Sequence, residues 1–383
     1  MRVKLGDICE IVSGSTPKTN IEEYWDGDIK WITPAELNDE TYIITDSVRK
    51  ITELGVKKTG LTPFPKGTVI LSSRAPIGKV AIAGCEMYCN QGFKNLICSE
   101  KIDNRYLYWF LKGNTEFLQS LGRGATFKEI SKTIVANIEI NIPDKSVQTQ
   151  IVDNLEKTSQ IIRLRKQELS KLEELVRARF VELFGDENNS KNWSIVHIED
   201  VADVQVGVVI KPSQYYTDES NGIKAFRSLN VGAGFIKDSD WVYFTAEGHQ
   251  KNSKSILREN DLLIVRSGAP GTACVVTEDY VGCNAIDIII AHPDCEKVNP
   301  YYLCTFTNMP HGKKQIVEGT GGAAQQHFNV GKYNKLQLML PPKELQDKFV
   351  EFINQIAKSK AAVQKALDQT QQLFDSLMQE YFG

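Results

Sequence analysis

A long helical segment that occurs twice is the feature of this 383-residue chain that most constrains its fold. Residues 145–185 and 343–383 align without gaps, with Gln148 opposite Gln346. Neither segment contains proline or an internal glycine, and each begins just after a proline and ends on glycine, as helices do. At about 1.5 Å per residue, a helix of about 38 residues is about 57 Å long. Helices of globular domains average only about 11–12 residues.

Apolar residues recur along both segments at alternating steps of three and four, which is the seam spacing of a coiled coil. The residues predicted to pack the helices together are Ile151, Leu155, Ile162, Leu169, Leu172 and Val176 in the first segment and Phe349, Ile353, Ile356, Val363, Leu367 and Phe374 in the second. Two amphipathic helices lying on separate globular cores would show a similar pattern, but the length of the segments argues against them. We predict two rods packed on each other, each carrying a globular region.

The two helices divide the chain into five predicted parts. These are a globular region (1–143), a first long helix (144–185), a polar linker (186–192), a second globular region (193–342) and a second long helix (343–383). The globular regions are themselves weak repeats, since Leu5-Gly-Asp7-Ile8 corresponds to Ile198-Glu-Asp200-Val201. Two such repeats predict a pseudo-twofold molecule, which suits a twofold target such as duplex DNA or a pair of identical subunits.

The globular regions show short runs of β-forming residues separated by turns, with few helical stretches. The predicted strands are Ile29–Ile32, Gly67–Ser72, Lys79–Ala83, Lys224–Ser228, Asp261–Arg266, Ala273–Thr277 and Ala285–Ala291, and the predicted short helices are Arg105–Lys112 and Asn299–Thr307. Strands and helices do not alternate regularly as they do in βαβ units. The predicted fold class is therefore α+β, with two mixed, β-rich globular regions and two long helices.

Composition bounds the function. The net charge of −3 and the pI of about 6.1 argue against a simple basic nucleic-acid binder, although a local positive face is not excluded. Eight widely spaced cysteines predict reduced thiols and a cytoplasmic protein. No apolar run approaches the roughly 18 residues of a membrane span, and the first residues lack a secretion signal. Two sets of residues could be considered as zinc ligands: Cys85 with Cys89, or Cys283, His292, Cys295 and Cys304 together. Neither set has the complete ligand spacing of a zinc site, so no metal site is predicted.

The sequence contains only incomplete matches to known enzyme motifs. The chain lacks the phosphate-binding G-x-x-x-x-G-K-[ST] loop. Asn299-Pro300-Tyr301-Tyr302 resembles the N-P-P-[YF] loop of amino-group DNA methyltransferases but lacks the second proline, and is better explained as the start of a helix. Gly232-Ala233-Gly234 is not followed by a helical pattern, so it predicts a turn and not a cofactor loop. No catalytic residue is predicted.

Two glycine-rich loops precede the long helices at corresponding places, Gly122–Lys128 and Gly319–His327. Glycine lets backbone N–H groups approach phosphates, and an arginine at a strand end can fork onto a guanine edge. The candidate DNA-binding residues are Arg74, Lys79, Arg123, Lys128, Arg266, Ser267, Gln325, Gln326 and His327. Flexible turns would explain either loop alone. An arginine paired with a carboxylate of its own domain would explain Arg74 and Arg266 equally well.

With these features the chain resembles, over its whole length, the specificity subunit of a type I restriction–modification system. The resemblance is carried by the repeated architecture and by Leu5-Gly-Asp-Ile8, Ser73–Gly78, Arg266–Gly271, Ile142-Pro143…Gln148-x-x-Ile151-Val152 and Leu340-Pro341-Pro342…Gln346-x-x-Phe349-Val350. It implies that each globular region is a target recognition domain for one half of a split DNA sequence. It also implies that the long helices pack antiparallel and hold these domains a fixed distance apart.

The same resemblance implies partners. Two methyltransferase subunits would dock on the chain and transfer methyl groups from S-adenosylmethionine to adenine, and motor-nuclease subunits could join to cut unmodified DNA. The chain itself would be non-catalytic and would hold no cofactor. Two alternatives remain at this point: a coiled-coil scaffold that presents protein- or glycan-binding domains, and an autonomous DNA methyltransferase.

Overall fold

The computed structural model describes residues 2–74, 76–124, 128–320 and 328–383, with the side chains of residues 319 and 320 left aside. These residues form two compact units. The first unit comprises Met1–Lys166 together with Lys365–Gly383, and the second comprises Gln167–Gln364. Each long helix is therefore divided between the units, so that the last residues of the sequence belong to the first unit.

The elements up to the end of the first long helix alternate short strands with short helices. They are β1 (Arg2–Lys4), β2 (Cys9–Ser13), β3 (Trp25–Ile32), β4 (Ile43–Ile44), β5 (Arg49–Ile51), α1 (Glu53–Thr59), β6 (Val69–Leu71), β7 (Val80–Ala83), β8 (Tyr88–Cys89), β9 (Lys94–Cys98), α2 (Asn104–Gly113), α3 (Thr115–Ser120), α4 (Lys132–Ala136), β10 (Glu139–Asn141) and α5 (Lys145–Phe184), with 3-10 turns at Leu5–Asp7, Glu22–Tyr24 and Pro34–Glu36.

The remaining elements repeat this order with small changes. They are β11 (Ser194–His197), β12 (Ala202–Val206), β13 (Tyr216–Thr217), β14 (Ile223–Phe226), β15 (Val242–Phe244), α6 (Ala246–Lys251), β16 (Leu262–Val265), β17 (Ala273–Val275), β18 (Asn284–Ala285), β19 (Ile288–Pro293), α7 (Pro300–Asn308), α8 (Pro310–Thr320), α9 (Val330–Asn334), β20 (Gln337–Leu340) and α10 (Lys343–Phe382), with 3-10 turns at Ile198–Asp200, Pro212–Tyr215, Glu219–Asn221, Ser228–Asn230, Ser253–Ser255 and Glu278–Tyr280.

Both units contain corresponding sheets that differ in the number of strands. The main sheet has the order β2-β9-β6-β7-β4 in the first unit and β12-β19-β16-β17 in the second. A smaller sheet is β5-β3-β8 in the first and β13-β15-β14-β18 in the second, and in each a central strand pairs with a parallel neighbour. Two antiparallel ribbons, β1-β10 and β11-β20, each pair a strand near the start of a globular region with the strand that directly precedes a long helix. The internal repeat predicted from the sequence is thus present as a repeat of element order.

The predicted strands and short helices are confirmed, with ends displaced by a few residues, except at one place. The sequence predicts a single strand over residues 285–291, but the structure has two strands there, β18 and β19. Asp287 separates them, because its φ of 49° is left-handed and incompatible with an extended strand. Its backbone N–H donates to the carbonyl of Val208 instead of continuing the ladder.

The residues predicted to form the seam of the long helices lie on both helices of each unit. All twelve side chains assigned to it are buried or half-buried, with Leu155 and Phe349 fully buried. Between residues 161 and 178 of α5, every position off the seam except half-buried Arg165 is exposed. In the second unit, Phe180 packs edge-on against Phe349, and Lys360 pairs with Glu173 at 2.9 Å. Because residue numbers rise along α5 as they fall along α10, the two helices run antiparallel.

The C-terminal turns of α10 pack on the core of the first unit. Phe382 contacts Tyr106 and Phe110 of α2, with ring centroids 5.2 and 6.0 Å apart. The amide of Asn154 on α5 donates to the hydroxyl of Tyr381 at 3.2 Å. These aromatic contacts join the end of the sequence to the unit that contains its beginning.

The C-terminal turns of α5 do the same in the second unit. Phe184, which corresponds to Phe382, is fully buried against Tyr302 and Phe349, with ring centroids 4.7 and 5.3 Å apart. Each globular core is thus closed by the last turns of one long helix and the first turns of the other.

A buried glutamine fastens the start of each long helix to its unit. The carboxamide oxygen of Gln148 accepts from the N–H of Asp103 at 2.8 Å, and its nitrogen donates to the carbonyls of Lys101 and Pro143 at 3.1 and 2.9 Å. Gln148 is 1% exposed. Three backbone groups that would otherwise lie unpaired at the helix start are satisfied by one side chain.

Gln346 makes the same three bonds in the second unit. Its oxygen accepts from Asn299 N–H at 2.8 Å, and its nitrogen donates to the carbonyls of Lys297 and Pro341 at 3.3 and 2.8 Å. Gln346 is also fully buried. The glutamines aligned in the two sequence repeats therefore have one structural role.

Candidate nucleic-acid interface

The candidate site of the first unit lies where β6 ends and the glycine-rich loop returns to the sheet. The N–H of Ile130 donates to the carbonyl of Ser73 at 2.9 Å, which ties the loop to the residue before Arg74. Arg123 and Glu129 exchange two backbone hydrogen bonds at 3.0 and 2.9 Å. The loop thus begins and ends at fixed points, and Arg74 and Arg123 are brought to the same place.

Four side chains form a polar group here, which we call the Glu129 cluster: Ser73, Arg74, Lys94 and Glu129. The Nε atom of Arg74 donates to one oxygen of Glu129 at 2.9 Å. Lys94, on β9, donates to the other oxygen and to the Ser73 hydroxyl, both at 3.2 Å. Although burial opposes ionisation of Glu129, the hydrogen bonds from Lys94 and Arg74 lower the pKa of its carboxyl. Two cations share one carboxylate, so the cluster carries a net positive charge.

Arg74 keeps part of its guanidinium in solvent. Its side chain is 45% exposed, and the ion pair with Glu129 uses Nε. Arg123 and Lys128, which flank the same loop, are also exposed. The surface therefore presents three accessible cations around a loop anchored to the sheet, which is an arrangement suited to phosphate or base edges.

The corresponding arginine of the second unit is buried. Arg266 follows β16, and its side chain is only 16% exposed. Its Nη1 donates to Asp287 at 2.5 Å and its Nε to the carbonyl of Phe328 at 3.1 Å. The N–H of Phe328 in turn donates to the carbonyl of Arg266 at 3.1 Å. The guanidinium is used to hold the returning loop and the left-handed turn at Asp287.

The two arginines are therefore not structural counterparts. The backbone bond from Phe328 to Arg266 corresponds to the bond from Ile130 to Ser73, so Arg266 takes the place of Ser73, and half-buried Ser267 takes the place of Arg74. Side chains of consecutive residues in extended chain point to opposite faces. A shift of one residue is enough to turn one arginine outward and the other inward. An ion pair within its own domain, one of the two explanations open from the sequence, is present for both arginines.

Lys79 is held inside the first unit. Its ammonium donates to the carbonyls of Pro34 and Leu37 at 3.2 and 2.5 Å, and the residue is half-buried. This position fits a lysine that fixes a loop better than one that meets a phosphate. Gln325, Gln326 and His327 lie outside the described residues, so their part in the interface stays a prediction.

Other cations are held by aromatic rings. The guanidinium of Arg49 lies 3.6 Å from the ring centroid of Trp25, and the ammonium of Lys224 lies 5.0 Å from that of Trp241. Such contacts are worth roughly 0.5–1 kcal/mol at exposed sites. These cation–aromatic pairs, like the pair of Lys94 with Glu129, leave no recognisable pattern in the sequence. Lys94 is the first residue of buried strand β9, and a buried charge of this kind requires a partner.

The methyltransferase-like string has a structural role. Asn299 caps α7, its side-chain oxygen accepting from Tyr301 N–H at 3.0 Å, while its amide nitrogen donates to Asp347 at 2.7 Å. The predicted helix start at this residue is confirmed, and the side chain is committed to the cap. Gly232–Gly234 forms the predicted turn, in which Gly232 N–H donates to the carbonyl of Phe235 at 2.8 Å.

Within the described ranges, His, Cys, Asp and Glu side chains do not gather in groups of three that could hold a metal ion. In the same part of the chain, the helices are too short or too polar to cross a membrane.

Comparison with known proteins decides the family. The model of the type I restriction modification DNA specificity domain matches residues 1–174 and again residues 190–370. The chain belongs to this family. Its members are the DNA-recognition components of restriction–modification systems and not their catalytic components.

Individual relatives agree with the family. The chain is similar to the MjaIX specificity subunit of Methanocaldococcus jannaschii, with 28% identity over 98% of this chain and 90% of that protein. It is also similar to the EcoR124I/EcoR124II specificity subunit of Escherichia coli, with 27% identity over 40% of this chain and 39% of the relative. The expectation drawn from the duplicated helices and the quoted strings is thereby confirmed.

Solved structures show the same fold. A type I restriction–modification S subunit from M. genitalium superposes with a TM-score of 0.58 at 14% identity, covering 100% of this chain and 96% of the other. A chain from a type I restriction–modification complex superposes with a TM-score of 0.64 at 17% identity, covering 100% and 97%. At these identities the likeness supports the fold alone.

Proposed function

We propose that the chain is the specificity subunit of a type I restriction–modification complex and that its two globular regions each read one half of a bipartite DNA target. The observation that carries the proposal is the duplication of a complete unit, anchored in the same way at Gln148 and Gln346, within a family defined by DNA specificity. Identical frames with different loop-end side chains suit two different half-sites. The long helices would set the separation of those half-sites.

The test is a replacement of residues 1–143 by the matching region of another specificity subunit. Methylated bases are then mapped across the genome by single-molecule sequencing in cells with the original or the hybrid gene. We expect one half of the recognised sequence to change and the other half to remain. A change in both halves would refute modular reading, and loss of all motifs with a folded hybrid would refute the DNA-specificity role.

Within the first unit we infer that Arg74 contacts a base and that Lys128 contacts phosphate. Arg74 is the exposed arginine of the anchored loop, and its contact with a guanine edge would contribute about 1–3 kcal/mol of discrimination. Lys128 is exposed on the loop itself. Arg266, in contrast, bonds to Asp287 and to the carbonyl of Phe328, and we propose that it stabilises its own unit and does not contact DNA.

The experiment compares Arg74→Ala/Glu129→Gln with Lys128→Ala in the assembled complex. Glu129→Gln is included because Arg74→Ala alone would leave the Glu129 carboxylate facing DNA without its arginine partner. The first variant should relax one base position, while Lys128→Ala should weaken binding to all sequences evenly and reduce the salt slope by about 1. Uniform weakening by both variants would rule out base reading by Arg74.

Docking of methyltransferase subunits is proposed for the outer faces of the long helices. Leu175 and Leu373 occupy equivalent positions in the repeats and are 47% and 53% exposed. Ile161 and Leu164 are also exposed, at 42% and 50%. Leu175, Leu373 and Ile161 each directly precede a seam residue, so these apolar side chains lie beside the coiled coil and not inside it. S-adenosylmethionine is placed on the docked methyltransferase, and motor-nuclease subunits could join the complex.

Leu373→Asp and Leu175→Asp test this surface, with Gln372→Asp as a control at a neighbouring exposed position. Native mass spectrometry should show that each leucine variant loses one methyltransferase subunit while the control keeps the full complement. Equilibrium dialysis of the isolated chain should detect no S-adenosylmethionine. Unchanged assembly in both leucine variants would contradict the proposed surface, and cofactor binding by the isolated chain would favour an autonomous methyltransferase.

A further inference from the structure

Two cysteines of the first unit lie directly opposite each other on neighbouring antiparallel strands. Cys9 on β2 is in register with Cys98 on β9. The N–H of Ser99 donates to the carbonyl of Ile8 at 2.9 Å, so Ile8 and Ser99 form a hydrogen-bonded pair. Pairs alternate along an antiparallel ladder, which makes Cys9 and Cys98 a non-hydrogen-bonded pair.

This pairing brings the two sulfur atoms together. Cα atoms of a non-hydrogen-bonded pair lie about 4.5 Å apart, with both side chains on the same face. Disulfides span Cα separations of about 4.4–6.8 Å. A hydrogen bond with the Cys98 thiol, and in second place burial, raises the pKa of the Cys9 thiol, which agrees with this register. The backbone therefore permits a disulfide with little movement.

We propose that Cys9 and Cys98 are a disulfide-forming modification site, oxidised by exchange with a low-molecular-weight disulfide of the glutathione class. The Cys98 thiolate attacks one sulfur of oxidised glutathione, forming a mixed disulfide and expelling one glutathione thiolate. The Cys9 sulfur then attacks the Cys98 sulfur, and its proton passes to the second glutathione as that leaves. Two protein thiols are oxidised, and one glutathione disulfide is reduced to two thiols.

Accessibility assigns the order of these steps. Cys98 is half-buried and opens into a surface groove that is also lined by Lys66, Asn104 and Lys145. The two lysines outnumber the one carboxylate of the groove, Asp103, and so favour an anionic reagent such as glutathione. Cys9 is 7% exposed and cannot meet the reagent first. Cys98 is therefore the entry point, and Cys9 is the resolving thiol.

The site is confined to the first unit. In the second unit the corresponding register pair on β12 and β19 is Ala202 with Pro293, which cannot form the link. β2 is an edge strand, and β9 carries Lys94 of the Glu129 cluster at its other end. A disulfide would fasten the edge strand to the strand that supports this cluster, so oxidation would stiffen one recognition unit and not the other.

The full-length protein is incubated with oxidised glutathione, and peptides are mapped without reduction. We expect a peptide pair joined through Cys9 and Cys98, six of the eight cysteines still open to alkylation after denaturation, and reversal by dithiothreitol. Amide exchange in β2 and β9 should slow by at least about tenfold, while β12 and β19 stay unchanged. Eight alkylatable thiols after incubation, or a link between other cysteines, would overturn the proposal.

Two variants test the order of steps. Cys9→Ser should accumulate glutathione on Cys98, because the resolving thiol is missing, whereas Cys98→Ser should take up none at Cys9. Cys85→Ser, which leaves the pair intact, should behave like the unmodified protein. Since substitution of buried Cys9 risks unfolding, the peptide map of the unmodified chain and the behaviour of the more exposed Cys98→Ser variant decide the matter independently. Glutathione on Cys9 in Cys98→Ser would contradict the assigned order.

Discussion

The glutamine that fastens each long helix offers a sharp test of how the units are held together. In Gln148→Ala, three buried backbone groups lose their partner: the N–H of Asp103 and the carbonyls of Lys101 and Pro143. At about 1 kcal/mol for each group left unpaired, the free energy of unfolding of the first unit should fall by about 3 kcal/mol. Because the bonds of Gln346 have nearly the same lengths, the same loss is expected for the second unit in its alanine variant.

Gln148→Glu separates hydrogen bonding from packing. The carboxylate keeps the shape of the side chain and its acceptor for Asp103 N–H, but it places a second acceptor against two carbonyl oxygens. Burial among acceptors should raise the pKa of the new carboxyl in the folded state above its unfolded value. The folded state then binds the extra proton, so stability should be poorest near neutral pH and recover as pH falls through that raised pKa.

Urea unfolding followed by peptide-resolved hydrogen exchange is the assay, because two units need not unfold together. Loss of protection should be confined to the first unit in Gln148→Ala and to the second in Gln346→Ala. Gln150→Ala, at an exposed position two residues further along α5, is the matched control and should stay within about 0.5 kcal/mol. Equal stability of Gln148→Ala and the control, or protection lost evenly in both units, would refute the reasoning.

Three further predictions concern the helices and a buried lysine. Phe382→Ala should destabilise the first unit by about 2 kcal/mol and Phe184→Ala the second by about 3–5 kcal/mol, since only Phe184 is fully buried; hydrogen exchange would locate each effect. Burial lowers the pKa of Lys313 to about 8 from its ordinary 10.5. Between pH 8 and 10.5 the unfolded state therefore binds more protons at this site than the folded state, so the free energy of unfolding should rise with pH. In chemical unfolding, the original protein should gain stability relative to Lys313→Met over this pH range. Seven residues inserted in phase after Gln167, with seven more after Gln364, would lengthen both helices by about 10 Å, which corresponds to about three base pairs of DNA. The preferred spacer in a methylation assay should grow by that amount. An unchanged spacer would contradict the proposal that the helices set the separation of the half-sites.

The long helices could be predicted in detail because their information is local. Apolar residues spaced by three and four fix which side faces the partner, and all twelve predicted positions are at most half-exposed. The spacing of apolar residues does not indicate on which globular core the end of each long helix packs. That choice is made by aromatic residues far apart in sequence, such as Phe382 on Tyr106, and becomes visible only in three dimensions.

The candidate interface could be predicted only in outline. Arg74 and Arg123 both pair with Glu129 in the first unit, but the sequence gives no sign that Glu129 joins Arg74 to a lysine on another strand. The roles of the two arginines depend on a shift of one residue at the end of a strand. The equivalent backbone hydrogen bonds of the two loops place Arg266 at the position of Ser73 and Ser267 at the position of Arg74.

The two repeats keep the bonds that build the frame and vary the side chains that the frame presents. Tyr106 and Tyr302 both donate to a carbonyl of the ribbon strand before the long helix, at 2.9 and 2.6 Å. The loop return uses a backbone bond in both units, and a backbone bond is indifferent to the side chain beside it. Exchange of an outward Arg for an outward Ser therefore leaves the frame intact. A recognition surface supported in this way can change its chemistry by substitution at a few loop ends, while the core and the helices that carry it remain under a separate constraint.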